Sequence, residues 1–180
     1  ADAKTAATIE NITIDGLAAN STIGTIAAGV NTSVDALKEL TVKNGVAATT
    51  VAVTTAVETL KVNLDNNAAS TATPTFASTV DLLATKLKTL NVDASGKDSS
   101  VELDATSTIL ETINISGNAK LTLETGSTVT AVARGVKEIN VTNTKGVVIE
   151  AALNDTTKFT GGAGADTVEI GATTKAIAMG

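Results

Sequence analysis

The chain has 180 residues and a mass of 17.9 kDa, enough for a domain with its own core. It contains no Cys, His, Trp or Tyr, which excludes thiolate and imidazole nucleophiles, His general bases and the usual zinc and copper sites. Thirteen basic residues against 19 acidic ones give a net charge of −6, the wrong sign for a polyanion, and an aromatic content of 1% leaves little to stack on a base, so nucleic acid is not an expected partner.

Apolar residues at 43% and charged ones at 18% predict a folded chain rather than a disordered one. Thr occupies 33 positions and, with Val, favours strands. No run of about 20 apolar residues predicts a membrane span, and no basic stretch followed by an apolar one predicts a signal peptide. The missing initial Met leads us to expect a segment of a larger protein. The pI near 4.6 agrees with a cation-rich extracellular setting, and the lack of Cys is compatible with secretion.

One pattern recurs along the chain: apolar, two polar, apolar, polar, apolar, then a turn. It begins at Ile9 (IENITI), Leu37 (LKELTV), Val57 (VETLKV), Leu87 (LKTLNV), Leu110 (LETINI) and Val136 (VKEINV). Two fainter copies follow, with Phe159 and Ile177 in the fourth position. Spacings of roughly 20 to 30 residues are those of a solenoid. The fourth and sixth residues alternate as a strand requires, so both face one side.

Turn chemistry follows each copy: Asp15-Gly16, Lys43-Asn44-Gly45, Asp65-Asn66-Asn67, Ala94-Ser95-Gly96-Lys97-Asp98, Ser116-Gly117-Asn118 and Asn143 to Gly146. Gly and Asn tolerate positive φ, so these are corners. Second strands are expected after them, as in Val101 to Leu103, Leu121 to Leu123 and Val147 to Ile149. The returns at 33–40 and 79–87 space their apolar residues like a helical turn. The stretch 66–78, with Pro74, reads as an excursion.

The sequence therefore predicts an all-β chain: a parallel β-helix or β-solenoid with short helical or irregular return segments, forming a single unit over 1–180. Eight rungs at about 4.8 Å would make a rod of about 38 Å. Inward Val, Ile and Leu would form ladders in a slim bore, with Leu40, Leu60, Leu90, Ile113 and Ile139 in equivalent places. Two rivals share the signal. Asn-Gly corners also fit a stack of hairpins, and Leu110 to Asn118 fits the leucine-rich pattern LxxLxLxxN.

Near the C-terminus, Gly161 to Glu169 (GGAGADTVE) fits the nonapeptide G-G-x-G-x-D-x-U-x at every specified position. Glycines allow a tight turn with outward carbonyls, Asp166 adds a carboxylate, and Val168 returns to the core. Hard oxygen ligands of this kind suit Ca2+, which takes six to eight. One turn supplies too few, so the rest must come from a turn one coil away. Two nonapeptides make 18 residues, which puts the partner of Gly162 at Gly180. Gly162, Gly164 and Asp166 are the candidate metal site. Asp65, Asp93, Asp98 and Asp104 lie near corners and are either further cation ligands or Asx-turn formers. Phe76 and Phe159 read as packing residues, and Arg134 as a solvated corner position. No Asp or Glu pair stands out for acid–base work, so no enzyme activity is expected.

The nonapeptide resembles the RTX calcium-binding repeat of proteins exported by type I secretion. With Thr- and Ala-rich, Cys-free coils bearing LETINI-like strands, the chain resembles RTX-type bacterial surface-layer proteins. That resemblance implies a right-handed β-helix with a β-roll starting about 156–180, Ca2+ as assembly cofactor at a site left incomplete in this segment, and a structural role. It also implies self-association into a lattice on the cell surface, extracellular localisation, and a cell-surface polysaccharide as a partner through other regions. A rod-like RTX adhesin and a leucine-rich-repeat-like recognition module are the alternatives.

Overall fold

The structure is a computed structural model that describes residues 9–24, 26–27, 30–31, 34–45, 49–67, 78–103, 109–125, 135–153, 156–170 and 176–180. Its strands in chain order begin with β1 (Asn11–Asp15), β2 (Ser21–Ile23), β3 (Ile26–Ala27), β4 (Val30–Asn31), β5 (Glu39–Lys43) and β6 (Thr49–Thr55). They continue with β7 (Thr59–Asp65), β8 (Ser78–Ala84), β9 (Thr89–Ser95), β10 (Ser99–Leu103), β11 (Thr112–Gly117) and β12 (Leu121–Thr125). The last are β13 (Glu138–Val141), β14 (Val147–Leu153), β15 (Lys158–Thr160), β16 (Thr167–Ile170) and β17 (Ile177–Ala178).

Two parallel sheets result. The front sheet has eight strands in the order β1-β5-β7-β9-β11-β13-β15-β17, one from each motif copy. The back sheet has seven, in the order β16-β14-β12-β10-β8-β6-β2. Apart from β3 and β4, which pair with each other, successive strands alternate between the sheets, so the chain is a β-solenoid. Every neighbour within either sheet is parallel, and among the described residues only the small β3–β4 pair is antiparallel, which overturns the hairpin stack. The second sheet also lies where a leucine-rich repeat would carry its return helices. No helix occurs among the described residues. The helix-like spacing of 79–87 belongs instead to β8 and a turn, because Val80 and Leu82 satisfy the period of two as well and have parallel neighbours on both sides. Of the expected excursion, 68–77, with Pro74 and Phe76, lies outside the described residues, as do Asp104 and Arg134.

Inward residues stack in columns. Leu60, Leu90, Ile113, Ile139, Phe159 and Ile177 share one front column, and all but the terminal Ile177 are fully buried. Val51, Val80, Val101, Leu123 and Ile149 share one at the back. Burying each such side chain stabilises the fold by about 1.5–3 kcal/mol, and Phe159, the largest, fills its column as expected of a packing residue. Leu40 departs from expectation: it lies opposite Val62 rather than Leu60. The register between β5 and β7 is offset by two residues from the motif alignment. An even offset keeps every inward side chain inside, so apolar patterning alone does not forbid it. It also sets Glu39 against Lys61, 3.4 Å from carboxylate to ammonium.

Corners are stacked too. Gly16, Asn44, Asn66 and Gly96, each the residue after a front strand, all take left-handed φ values between 53° and 75°. Gly16, Asn44 and Asn66 each donate a backbone N–H to the next coil, at 2.9, 3.0 and 2.9 Å. Gly and Asn pay little for this conformation, which is why the corner sequences are restricted to them.

Candidate functional site

The Gly-rich turn joins β15 to β16 at the C-terminal end of the stack. Phe159 anchors it from inside, and Val168 returns towards the core half-buried. Gly162, Gly164 and Asp166 are all half-buried, and the fold brings them into one corner. The Asp166 carboxylate clasps that corner: Oδ2 accepts from the Gly162 N–H at 3.1 Å, and Oδ1 accepts from the Val147 N–H, one coil earlier, at 3.0 Å. Each oxygen keeps a lone pair beyond these bonds.

The glycines are required by close approach. A Cβ on Gly164 would meet the backbone N of Gly146 beneath it, and one on Gly162 would lie 2.7 Å from the carbonyl oxygen of Asn143. Gly180 sits over Gly162 as the 18-residue spacing predicts: a Cβ there would meet the Gly162 carbonyl oxygen, and the Gly161 N–H donates to Ala178 O at 2.6 Å.

Earlier corners use amides where this one uses a carboxylate. Asn143 is fully buried; its Nδ2 donates to Ser116 O at 3.3 Å and Ala119 O at 2.6 Å, while its Oδ1 accepts from the N–H groups of Lys145 and Gly146 at 2.7 and 2.9 Å. Asn67, also fully buried, accepts from Gly45 N–H at 3.0 Å and donates to Val42 O at 3.1 Å. Sequence reasoning treated both only as turn residues; the signal that could have found Asn143 is its place one coil before the Gly-rich turn.

The other candidate acids are engaged in the stack. Asp65 accepts from Ser95 Oγ at 3.2 Å, Asp93 from Ser116 Oγ at 2.7 Å, and Asp98 from the Lys120 N–H at 3.1 Å. No group of three or more acidic side chains that could hold a metal occurs among the described residues. A cation at the C-terminal corner would therefore be held by backbone carbonyls together with Asp166. That donor set is all oxygen and fits Ca2+ chemically, as half of a site.

The outer faces differ in charge. On the front, lysines on one coil reach acids on the coil before: Lys38–Glu10 at 2.7 Å, Lys43–Asp15 at 3.3 Å, Lys88–Glu58 at 3.1 Å and Lys137–Glu111 at 2.6 Å. The Asn44 amide beside Asp15, and then Lys43, hold that carboxyl below its ordinary pKa, and Lys137 does the same to Glu111. Asn91, Asn114 and Asn140 form an amide ladder on this face, bonded at 2.8 and 3.1 Å. On the back, Asp81 and Glu102 occupy one outward register column, the backbone register sets Glu124 opposite Glu102, and no back strand contains Lys or Arg. A hollow of about 440 Å³ lies beside the C-terminal coils, lined by Lys137, Glu138, Thr156, Lys158 and Ala176.

A scan against protein-family models, a search of curated proteins and a search of solved structures each return no match.

Proposed function

We propose that the chain is a structural segment of an extracellular surface-layer protein that self-assembles on a bacterial cell surface with the help of Ca2+, and that it performs no catalysis. The observation that carries this reading is the Gly161 to Asp166 corner, in which the RTX-like nonapeptide closes a long parallel stack and its Gly162 carbonyl faces the equivalent corner at Gly180. Ca2+ supplies positive charge between stacked turns when bound. Gly162 and Gly164 would offer carbonyl oxygens and Asp166 its carboxylate, while the turn of the following coil would complete the shell. The rod is a sensible brick for a lattice, since each coil pairs its backbone with the coils above and below and the core needs no bulky aromatic filling.

Asp166→Ala in the full-length protein tests this. The expected outcome is a higher Ca2+ concentration for lattice formation, seen by electron microscopy. Unchanged calcium dependence counts against the site, and a full-length protein that stays a monomeric rod in Ca2+ favours the adhesin alternative.

A further inference from the structure

Asn44-Gly45 is the one Asn-Gly pair in the 180 residues. An Asn before Gly is the dipeptide most open to spontaneous loss of its side-chain amide, because a residue without a Cβ leaves its backbone nitrogen unhindered beside the preceding carboxamide. The reaction makes two demands on the local structure. The Gly N–H must reach water or hydroxide to lose its proton, and the carboxamide must be free to swing its Cγ onto that nitrogen.

The second corner of the stack denies both. Gly45 is buried and donates its N–H to Oδ1 of Asn67 on the next coil at 3.0 Å. Asn67 is itself fully buried, and its Nδ2 is fixed by donation to Val42 O at 3.1 Å. The Asn44 carboxamide is held from both sides: Nδ2 donates to Asp15 Oδ1 on the coil before at 2.8 Å, and Oδ1 accepts from Asn66 Nδ2 on the coil after at 2.9 Å. The Asn44 backbone is held as well, with a left-handed φ of 54° and its N–H donated to Asp65 O at 3.0 Å. Asn44 is nevertheless exposed, so water reaches the carboxamide while the attacking nitrogen stays shielded.

We propose that Asn44 is a site of spontaneous deamidation that coil stacking holds shut and that release of the Asn66-Asn67 corner opens. In the open corner the Gly45 nitrogen gives up its proton and attacks Asn44 Cγ. The Cγ–Nδ2 bond breaks, ammonia leaves, and water opens the resulting succinimide to aspartate or isoaspartate at position 44. One water is consumed and one ammonia released, with no oxidant or cofactor. The product does not fit the closed corner, since a carboxylate cannot donate to Asp15 and sets a second negative charge against it. A corner that has opened long enough to react therefore cannot close as before, and the modification is a permanent record of coil opening. It goes beyond the structural role proposed above and depends on neither Ca2+ nor assembly.

The test incubates the 180-residue chain at mildly alkaline pH, folded and in urea, and follows amide loss at Asn44 by peptide mass spectrometry, with hydrogen exchange of the Gly45 N–H read alongside. Wild type should react at least about tenfold faster in urea, a factor that corresponds to about 1.4 kcal/mol of opening free energy. Asn67→Ala removes the acceptor of the Gly45 N–H and should raise the folded-state rate about tenfold, together with the exchange rate of that N–H. Should Asn67→Ala fail to fold, Asn66→Gly takes its place: it keeps the left-handed corner, frees Asn44 Oδ1 and should raise the rate about threefold. Asn44→Asp, the product made directly, should melt below wild type. Equal rates in folded and unfolded wild type overturn the proposal. So does a folded variant in which amide loss does not rise with Gly45 exchange, or an Asn44→Asp chain as stable as wild type. None of these outcomes bears on Asp166 and Ca2+, which the full-length lattice experiment decides.

Discussion

The two sheets share one kind of inner face and carry opposite kinds of outer face. Inside, both are columns of Val, Leu and Ile with almost no exposure. Outside, the front sheet alternates acid and lysine from coil to coil, as in Glu39–Lys61 and Glu111–Lys137, whereas the back sheet places Asp81, Glu102 and Glu124 in register with no basic residue in any strand. Glu150 and Glu169, both exposed, add acids to the C-terminal strands of the same sheet. Stacking neighbours about 4.8 Å apart makes like charges repel and opposite charges attract along each line. The difference teaches that the core and the corners hold the rod together, while the two outer faces are free to carry different patterns of charge.

The largest effects should not distinguish the sheets at all. Leu90→Ala in the front column and Leu82→Ala at the back each remove a fully buried side chain, and each should cost about 2–5 kcal/mol in denaturant unfolding. A loss confined to one sheet would show that the other contributes little to the core. Next comes the corner they share: Asn143→Ala leaves two carbonyls and two N–H groups without their amide partner and should cost about 1–3 kcal/mol.

Charge reversals should then separate the faces in sign. Glu150→Lys, at an exposed position of a back sheet whose strands carry no basic residue, should stabilise the chain by up to about 1 kcal/mol, and Glu39→Lys, which faces Lys61, should destabilise it by a similar amount. Added salt should shrink both differences; equal signs for the two reversals would erase the contrast. The smallest effect is one of pH. Because Lys137 lowers the Glu111 pKa from 4.5 in the folded chain, the pair contributes stability that is fully present above 4.5 and is lost as pH falls through the lower folded value. The Tm difference between wild type and Glu111→Gln should therefore vanish in acid and persist at neutral pH.

Much of the architecture was legible in the sequence, because the motif repeats its apolar pair at a period of two and ends in residues that tolerate left-handed φ. Phe159 and Ile177 fall in the column of Leu90 even though their copies are faint, and Gly180 falls over Gly162 as counting predicts. The register of Leu40 was not legible in the apolar pattern, since an offset of two leaves every side chain on its own face; polar contacts between the coils, Glu39 with Lys61, Asn63 with Thr41 and Asn66 with Asn44, favour the observed choice. The second sheet at 78–84 was masked by a spacing that satisfies helix and strand alike. At the candidate site the sequence singled out Asp166 for a cation, and its carboxylate also locks two backbone N–H groups across coils. Asn67 and Asn143 do comparable work from buried positions, and a buried turn Asn reads like any exposed one until its partners are seen.

The central claim is that coils far apart in sequence are stacked at a constant rise in one register. The absence of Cys allows nitroxide pairs to be placed at will along the outward column Asn11, Glu39, Lys61, Asn91, Asn114, Asn140 and Thr160. Electron–electron distances should grow by about 4.8 Å per coil, reaching about 19 Å for Lys61 to Thr160 and about 29 Å for Asn11 to Thr160, with unlabelled protein mixed in excess so that only pairs within one molecule are read. Distances that do not rise in equal steps along this column would contradict the stack and the account built on it.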